Sequence, residues 1–193
     1  MSIKSTLGRV AGVAAAVAGI SGLSLAGVAS AATARPAAVA AAAHGAVIPA
    51  GNGPFTCAIQ SNNGDFLTAV SGGGRTTDVI HTNATQIGSW EKFRLVPVGD
   101  GVHFGILTVN GHYLTAVSGG GRTTDVIHSD ATRLQGWEEF RFVPVGSSGP
   151  YAIQTINGHY LTSVGDGGQI TDAIHSDATQ VRSWELFWPI CGL

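Results

Sequence analysis

From residue 53 to the last residue, short runs of β-branched and aromatic residues alternate with Gly-rich or Asn-Gly breaks. Runs of about four to eight such residues between turn residues predict β-strands. Asn-Gly recurs at 63–64, 110–111 and 157–158, each time between two of these runs, and this dipeptide supplies positive φ angles for a tight hairpin turn. No segment shows a convincing helical pattern, so we predict an all-β domain.

The same pattern returns every 47 residues. LTAVSGGGRTTDVIH at 67–81 is identical to 114–128, and LTSVGDGGQITDAIH at 161–175 keeps nine of its fifteen residues. Each copy follows an Asn-Gly hairpin, contains a Gly-rich loop and a third strand, and precedes a fourth strand such as KFRLVPV. We therefore predict three repeats of four strands each, at 53–99, 100–146 and 147–193.

The first and last repeats resemble the middle one, which favours a closed arrangement. Open repeat arrays generally need atypical polar units at their ends, and closure also removes exposed strand edges. Three units of this length fit a β-trefoil with pseudo-threefold symmetry, in which six strands form a barrel and three hairpins cap one end. A three-bladed propeller is the alternative, although propellers usually have at least about four blades.

One set of motifs resembles a known family across all three repeats. NGHYLTAVSGGG is followed by ATQIGSWEKF, ATRLQGWEEF and ATQVRSWELF at equivalent places, as in the fascin-type, or actin-crosslinking-like, β-trefoil. The Gln-x-Trp signature of ricin B-type trefoils is missing from the fourth strands. Fascin joins several such domains and bundles actin, whereas this chain has one. The resemblance implies the fold, with partners that range from protein filaments to polysaccharides.

The first 31 residues indicate export. Lys4 and Arg9 precede an apolar run that ends in the small triplet Ala29, Ser30, Ala31. We interpret 1–31 as a cleaved signal peptide, with a transmembrane anchor as the alternative. Residues 32–52 are rich in Ala, Pro and Gly, and we expect them to form a disordered linker or propeptide. The predicted location is therefore extracellular.

The net charge of the chain restricts the classes of partner that it can bind. The chain has 10 Lys and Arg and 12 Asp and Glu; loss of Lys4 and Arg9 leaves 8 basic residues and a net charge of −4 with His neutral. This balance argues against nucleic acid or an anionic membrane as a partner. No later stretch is apolar enough to span a bilayer. We expect a monomer that does not insert into membranes.

Two cysteines in an exported chain favour a disulfide. Cys57 lies near the start of the predicted domain and Cys191 near its end. A bond between them would clamp the termini together, and two buried free thiols are the alternative.

The repetition itself argues against catalysis. Hydrolytic sites need an asymmetric set of groups, such as a nucleophile beside a base. Here most candidate polar residues recur in equivalent copies, which suits several binding sites better than one reaction centre. We predict a non-enzymatic protein without a cofactor.

The repeated His and Trp residues have structural explanations. Three equivalent histidines could converge on a metal ion, but no zinc-type spacing accompanies them, and we expect hydrogen-bonded histidines instead. Strand alternation in DVIH would place Asp78 and His81 on opposite faces. Trp90, Trp137 and Trp184 could stack on sugar rings, yet each has a Phe three places later, and we expect these aromatic pairs to lie in the core.

The Gly-rich loop is the candidate binding site. Its backbone can approach a ligand closely and should offer it free N–H groups. Arg75 and Arg122 are each followed by an Asp three residues later. Such pairs can donate to and accept from adjacent sugar hydroxyls, or form surface salt bridges of little energetic value. The third repeat has Gln169 in place of Arg, so its site should be weaker or different. The predicted ligand-binding residues are Arg75, Asp78, His81, Arg122, Asp125, His128, Gln169, Asp172 and His175.

We therefore predict a secreted, multivalent, lectin-like module that binds polysaccharide or cell-surface glycan. The alternative is a protein-binding or filament-crosslinking module, as in fascin.

Overall fold

A computed structural model describes residues 48–49, 53–147 and 149–193. The predicted signal peptide, 1–31, and all of the predicted linker except Ile48 and Pro49 lie outside the described residues. Within the described residues, no helix has the length and hydropathy needed to cross a membrane.

The described residues form twelve β-strands, which confirms the predicted all-β class. The strands are β1 (Phe55–Ser61), β2 (Phe66–Ala69), β3 (Ile80–Ala84), β4 (Lys92–Pro97), β5 (His103–Leu107), β6 (Tyr113–Ala116), β7 (Ile127–Ala131), β8 (Glu139–Pro144), β9 (Tyr151–Thr155), β10 (Tyr160–Ser163), β11 (Ile174–Ala178) and β12 (Phe187–Cys191).

Six of these strands close a barrel. β1 pairs with β4 and β12, β5 pairs with β4 and β8, and β9 pairs with β8 and β12, all antiparallel. Each barrel strand therefore has two neighbours and no free edge along the ring. This closed ring excludes the propeller alternative, in which each blade would be a separate sheet.

The other six strands form three cap hairpins: β2 with β3, β6 with β7, and β10 with β11. Each contains the same one-residue irregularity, and each pairs a Thr of its first strand with a His of its second. The Asn-Gly turns that precede them have a positive φ only at the glycine, at Gly64, Gly111 and Gly158. The tight turn was predicted, but Asn does not share the unusual angle.

The core fills the barrel and the space beneath the cap hairpins. Phe93, Phe140 and Phe187, one from each fourth strand, are completely buried. Full burial of a side chain of this size contributes about 1.5–3 kcal/mol each. The other fully buried barrel side chains include Ile59, Leu95, Ile106 and Ile153.

A row of aromatic rings continues the core, and Ile48 packs against it. Phe55, Phe104, Phe142 and Tyr151 contact one another edge to face, with centroids 5.9, 6.0 and 6.4 Å apart. The Ile48 N–H donates to the Tyr151 hydroxyl at 3.3 Å. The described end of the predicted linker is therefore in contact with the barrel.

The predicted disulfide is confirmed. Cys57 and Cys191 are bonded to each other, and they are register partners on β1 and β12. The bond therefore joins the first and last strands of the barrel where the chain closes on itself.

Candidate functional site

The Gly-rich loop of each cap hairpin is bonded to the next hairpin. In the first case, loop 70–79 lies along β7: the Gly74 N–H donates to the Ser129 carbonyl at 2.6 Å, and the Ser129 N–H donates to the Arg75 carbonyl at 2.8 Å. The Arg75 N–H also donates to the Ser129 hydroxyl at 3.1 Å. We call this contact the first joint.

Two further joints complete a ring. In the second joint, loop 117–126 bonds to β11 through the same three contacts between Gly121, Arg122 and Ser176. In the third, loop 164–173 bonds to β3 through Gly168, Gln169 and Thr82. Each loop thus fixes the position of the neighbouring hairpin. The strand residue that bonds to the loop is a Ser or Thr in every joint, and these residues are 47 positions apart. This recurrence in the sequence could have identified the loop's partner.

These joints correct the prediction that the Gly-rich loop presents free backbone N–H groups. The N–H groups of Gly73, Gly74 and Arg75 all donate to protein acceptors. Gly73 has a φ of 99°, and a Cβ on it would overlap the Thr108 side chain. Gly73 is therefore required by its close packing against Thr108, which directly follows β5. The binding surface must come from the loop's side chains.

The Asp and His of each third strand meet, contrary to the prediction that they face opposite ways. Asp78 lies before β3 rather than in it, and its φ of 51° is left-handed. This angle turns the carboxylate back toward His81, whose Nε2 lies 2.7 Å from Asp78 Oδ1. Short polar residues such as Asp tolerate this backbone region better than most.

Arg75 completes the first cluster. Its Nε donates to the carbonyl oxygens of Thr77 and Asp78 at 3.1 Å each, and its Nη2 lies 3.5 Å from Asp78 Oδ2. The Arg and Asp side chains are 35% and 50% exposed, and the His is 24% exposed. The three predicted residues therefore form one accessible surface cluster.

The second cluster repeats the first, and the third differs. His128 lies 2.7 Å from Asp125 Oδ1, and Arg122 Nη2 lies 3.6 Å from Asp125 Oδ2. In the third joint His175 lies 2.9 Å from Asp172 Oδ1. Gln169 replaces the Arg there, and its amide lies over Gly165, where a Cβ would be 3.0 Å from Nε2. We call these the first, second and third polar clusters.

The hydrogen bond from His81 lowers the pKa of Asp78 below its ordinary value, and the positive charges of His81 and Arg75 act in the same direction. The carboxylate therefore stays ionised, as a hydrogen-bond acceptor, to a lower pH than an ordinary Asp. No group of three or more His, Cys, Asp or Glu side chains within the described residues is arranged to hold a metal ion.

We expect the His81→Ala substitution to raise the pKa of Asp78 toward its ordinary value, because its strongest hydrogen-bond partner is lost. The pKa is lower in the folded state, so the related stability is present above the unfolded pKa and declines as pH falls through the folded pKa. A carboxyl-carbon NMR titration measures the effect. His103→Ala, which removes the partner of Asp100 elsewhere, is the control. An ordinary pKa for Asp78 in the unmodified protein would contradict the geometry.

The prediction that the three repeated Trp residues lie in the core is wrong. Trp90, Trp137 and Trp184 are 46%, 52% and 45% exposed. The core positions belong to the Phe three residues later in each case. A Trp and a Phe that share a short motif therefore face different environments, and spacing alone did not separate them.

A buried carboxylate fixes each Trp-bearing turn. Glu138, which follows Trp137, accepts from the Thr115 hydroxyl at 2.7 Å and from the Gln135 N–H at 3.0 Å. Equivalent bonds are made by Glu91 and Glu185. We did not predict this role for the three Glu residues, although each of them directly follows a repeated Trp in the sequence.

Neither a protein-family model nor a curated protein matches this sequence. Solved structures do match. The designed 3-fold symmetric protein ThreeFoil has a TM-score of 0.59 at 13% identity, over 70% of this chain and 97% of its own. The Rhizoctonia solani agglutinin has a TM-score of 0.57 at 15% identity, over 76% and 98%. The BEL beta-trefoil has a TM-score of 0.59 at 12% identity, over 76% and 97%. With a closed six-stranded barrel and three cap hairpins, the chain therefore has the β-trefoil fold.

Proposed function

We propose that this protein is a secreted, non-catalytic module that binds polysaccharide or cell-surface glycan at two or three related sites. The observation that carries the proposal is the recurrence of an accessible Arg, Asp and His cluster on a rigid joint. Side chains held in one geometry lose little conformational entropy on binding, which favours recognition of small polar ligands.

The first and second polar clusters have the chemistry that sugar hydroxyls require. Asp78 and Asp125 offer carboxylate oxygens that accept from hydroxyl groups, and Arg75 and Arg122 offer guanidinium donors beside them. A pair of adjacent hydroxyls on a pyranose ring can both donate and accept, so one cluster can engage both. Among proteins of the same fold, the similarity to an agglutinin supports this choice.

Several weak sites on one body suit a repetitive ligand. The first two clusters are equivalent, and the third has an uncharged amide in place of the guanidinium, so we expect it to bind more weakly or to prefer another sugar. Simultaneous use of two sites can strengthen attachment by a factor of about 10² to 10⁴ through effective concentration.

The proposal includes the repeat boundaries, which we assign to 53–99, 100–146 and 147–193. It also includes a relationship to the fascin-type β-trefoil, which the repeated NGHYLTAVSGGG and WExF motifs resemble. The charged N-terminal segment with its apolar run supports export. We expect the module to act as a monomer. Actin filaments remain the test case for the fascin-type alternative.

The combined substitution Arg75→Ala and Arg122→Ala should weaken glycan binding by at least about tenfold, because it removes the charged donor from both equivalent clusters. The measurement is a binding panel of cellulose, chitin, xylan, galactomannan and β-1,3-glucan, with actin co-sedimentation alongside. Arg94→Ala, an exposed Arg on β4, is the matched control. Undiminished sugar binding by the double variant would remove the site assignment. Binding to actin and to no glycan would replace the proposed function with the alternative.

A further inference from the structure

Each exposed Trp is linked to a polar cluster by one Thr. In the first cap hairpin, Thr68 is the register partner of His81, and its hydroxyl donates to Glu91 at 2.8 Å. Trp90 directly precedes that Glu, and its carbonyl accepts from the Ala69 N–H at 2.9 Å. Cross-strand partners have Cβ atoms about 4.5–5.5 Å apart. The Trp-bearing turn and the Asp and His pair therefore flank the same two-residue segment of β2.

The other two hairpins repeat this link. Thr115 pairs with His128 in register and donates to Glu138, which follows Trp137. Thr162 pairs with His175 and donates to Glu185, which follows Trp184. The third hairpin keeps the link although its loop has lost the Arg. The link from the Trp-bearing turn through Thr to His is thus present at all three hairpins, whereas the Arg is present at only two.

The exposure of these indoles is imposed by a rigid turn. A buried carboxylate with unpaired oxygens would be costly, so the two hydrogen bonds to each Glu hold the turn in one conformation. Every other Phe, Tyr and Trp of the protein is buried or half-buried. Each of the three turns holds a Trp, the largest aromatic side chain, in contact with water. Packing in the core therefore does not explain why Trp occurs at these positions.

The surroundings of the indoles favour a sugar over a protein partner. A stable protein interface buries roughly 800 Å² on each side around a continuous core. These three indoles stand on three separate turns, between β3 and β4, β7 and β8, and β11 and β12. The residues just before them are small or polar: Ser89, Gly136 and Ser183. Gln135 and Gly136 line a shallow hollow with Trp137. An isolated aromatic face beside polar groups matches a single pyranose ring, which is apolar on its C–H face and polar at its edge.

We propose that Trp90, Trp137 and Trp184 are stacking platforms for neutral pyranose residues, each in a composite site with the Asp and His pair of the hairpin that precedes it in the chain. The indole takes the C–H face of the ring, and the carboxylate and imidazole bind its hydroxyls. This inference rests on the proposed glycan-binding function and adds the ligand class, the orientation of the ring and a third working site.

The test is affinity electrophoresis of the full chain through gels that contain galactomannan, xylan or β-1,3-glucan. Each single Trp→Ala variant should weaken retardation about tenfold, the triple variant should remove it, and the Trp→Phe variants should retain most of it, since a smaller aromatic face remains. Val102→Ala, which removes an exposed apolar side chain of the β4–β5 turn, should have no effect. Thermal unfolding should be nearly unchanged in all of them, because the substituted side chains are on the surface.

The outcomes are distinct. Retardation of the unmodified protein that persists in the triple Trp→Ala variant overturns the stacking platforms and leaves the glycan-binding function standing. Loss of retardation together with loss of folding in Trp→Ala, but not in Trp→Phe, assigns the indoles to structure and also overturns the inference. No retardation of the unmodified protein in any gel overturns both proposals.

Discussion

Replacing Cys57 and Cys191 together with Ala should lower the free energy of unfolding by roughly 5 kcal/mol. In the chain-entropy model a disulfide stabilises by restricting the unfolded chain, and the effect grows with the length of the closed loop. This bond closes a loop with a sequence separation of 134 residues. Urea unfolding followed by Trp fluorescence measures the loss as a lower midpoint.

Dithiothreitol treatment of the unmodified protein is the control, because reduction breaks the same bond without removing any side-chain atom. Both samples should unfold at similar urea concentrations. The β1–β12 pairing remains available through its backbone hydrogen bonds, so we expect a destabilised barrel. A midpoint that is unchanged after verified reduction would contradict the role of the bond in closing the fold.

Gly120→Ala should destabilise the protein by about 3 kcal/mol or more. Gly120 has a φ of 100° and a ψ of −173°, a region that L-residues with a Cβ rarely occupy, and strain of this kind costs about 1–3 kcal/mol. The added methyl would also overlap the Thr155 hydroxyl and lie 2.9 Å from its Cβ. Overpacking adds about 1–3 kcal/mol. Urea denaturation gives the change in free energy.

Gly136→Ala is the matched control, since a Cβ there meets nothing within 4 Å and its φ is not in the left-handed region. We expect a change within about 0.5 kcal/mol at this surface position. Equal effects of the two substitutions would show that loop 117–126 is not closely packed against Thr155 at the end of β9. A large effect confined to Gly120→Ala would support close packing of this loop against that strand.

The sequence predicted the strands well because two local signals agreed. Alternating apolar residues marked strands such as β4 and β8, and the Asn-Gly turns marked the boundaries between β1 and β2, β5 and β6, and β9 and β10. The trefoil was predicted from the expected closure of the repeats. Few folds leave no strand edge free and also bring the two ends of the domain together at Cys57 and Cys191. These features depend on the chain's own pattern and need no knowledge of distant contacts.

The site was harder to predict because it depends on contacts between repeats. We predicted that the Gly-rich loop offers free backbone N–H groups, but Gly73 packs against Thr108 and the Gly74 N–H donates to β7. The prediction from strand alternation was wrong at Asp78, because this residue lies before β3 and its positive φ turns its side chain toward His81. We predicted that each Trp lies in the core together with the Phe three residues later. Only the Phe is buried, and the spacing of the two residues in the sequence does not show which of them packs inside.

The most direct measurement is NMR mapping of a bound oligosaccharide on isotope-labelled protein, with the glycan that binds in the panel. We predict shifts at the imidazoles of His81, His128 and His175 and at the indole N–H groups of the three exposed Trp residues. His103, which also contacts an Asp three residues earlier but lies outside the three polar clusters, should not shift. Shifts confined to that turn, or spread over surfaces away from the joints, would contradict the proposed sites.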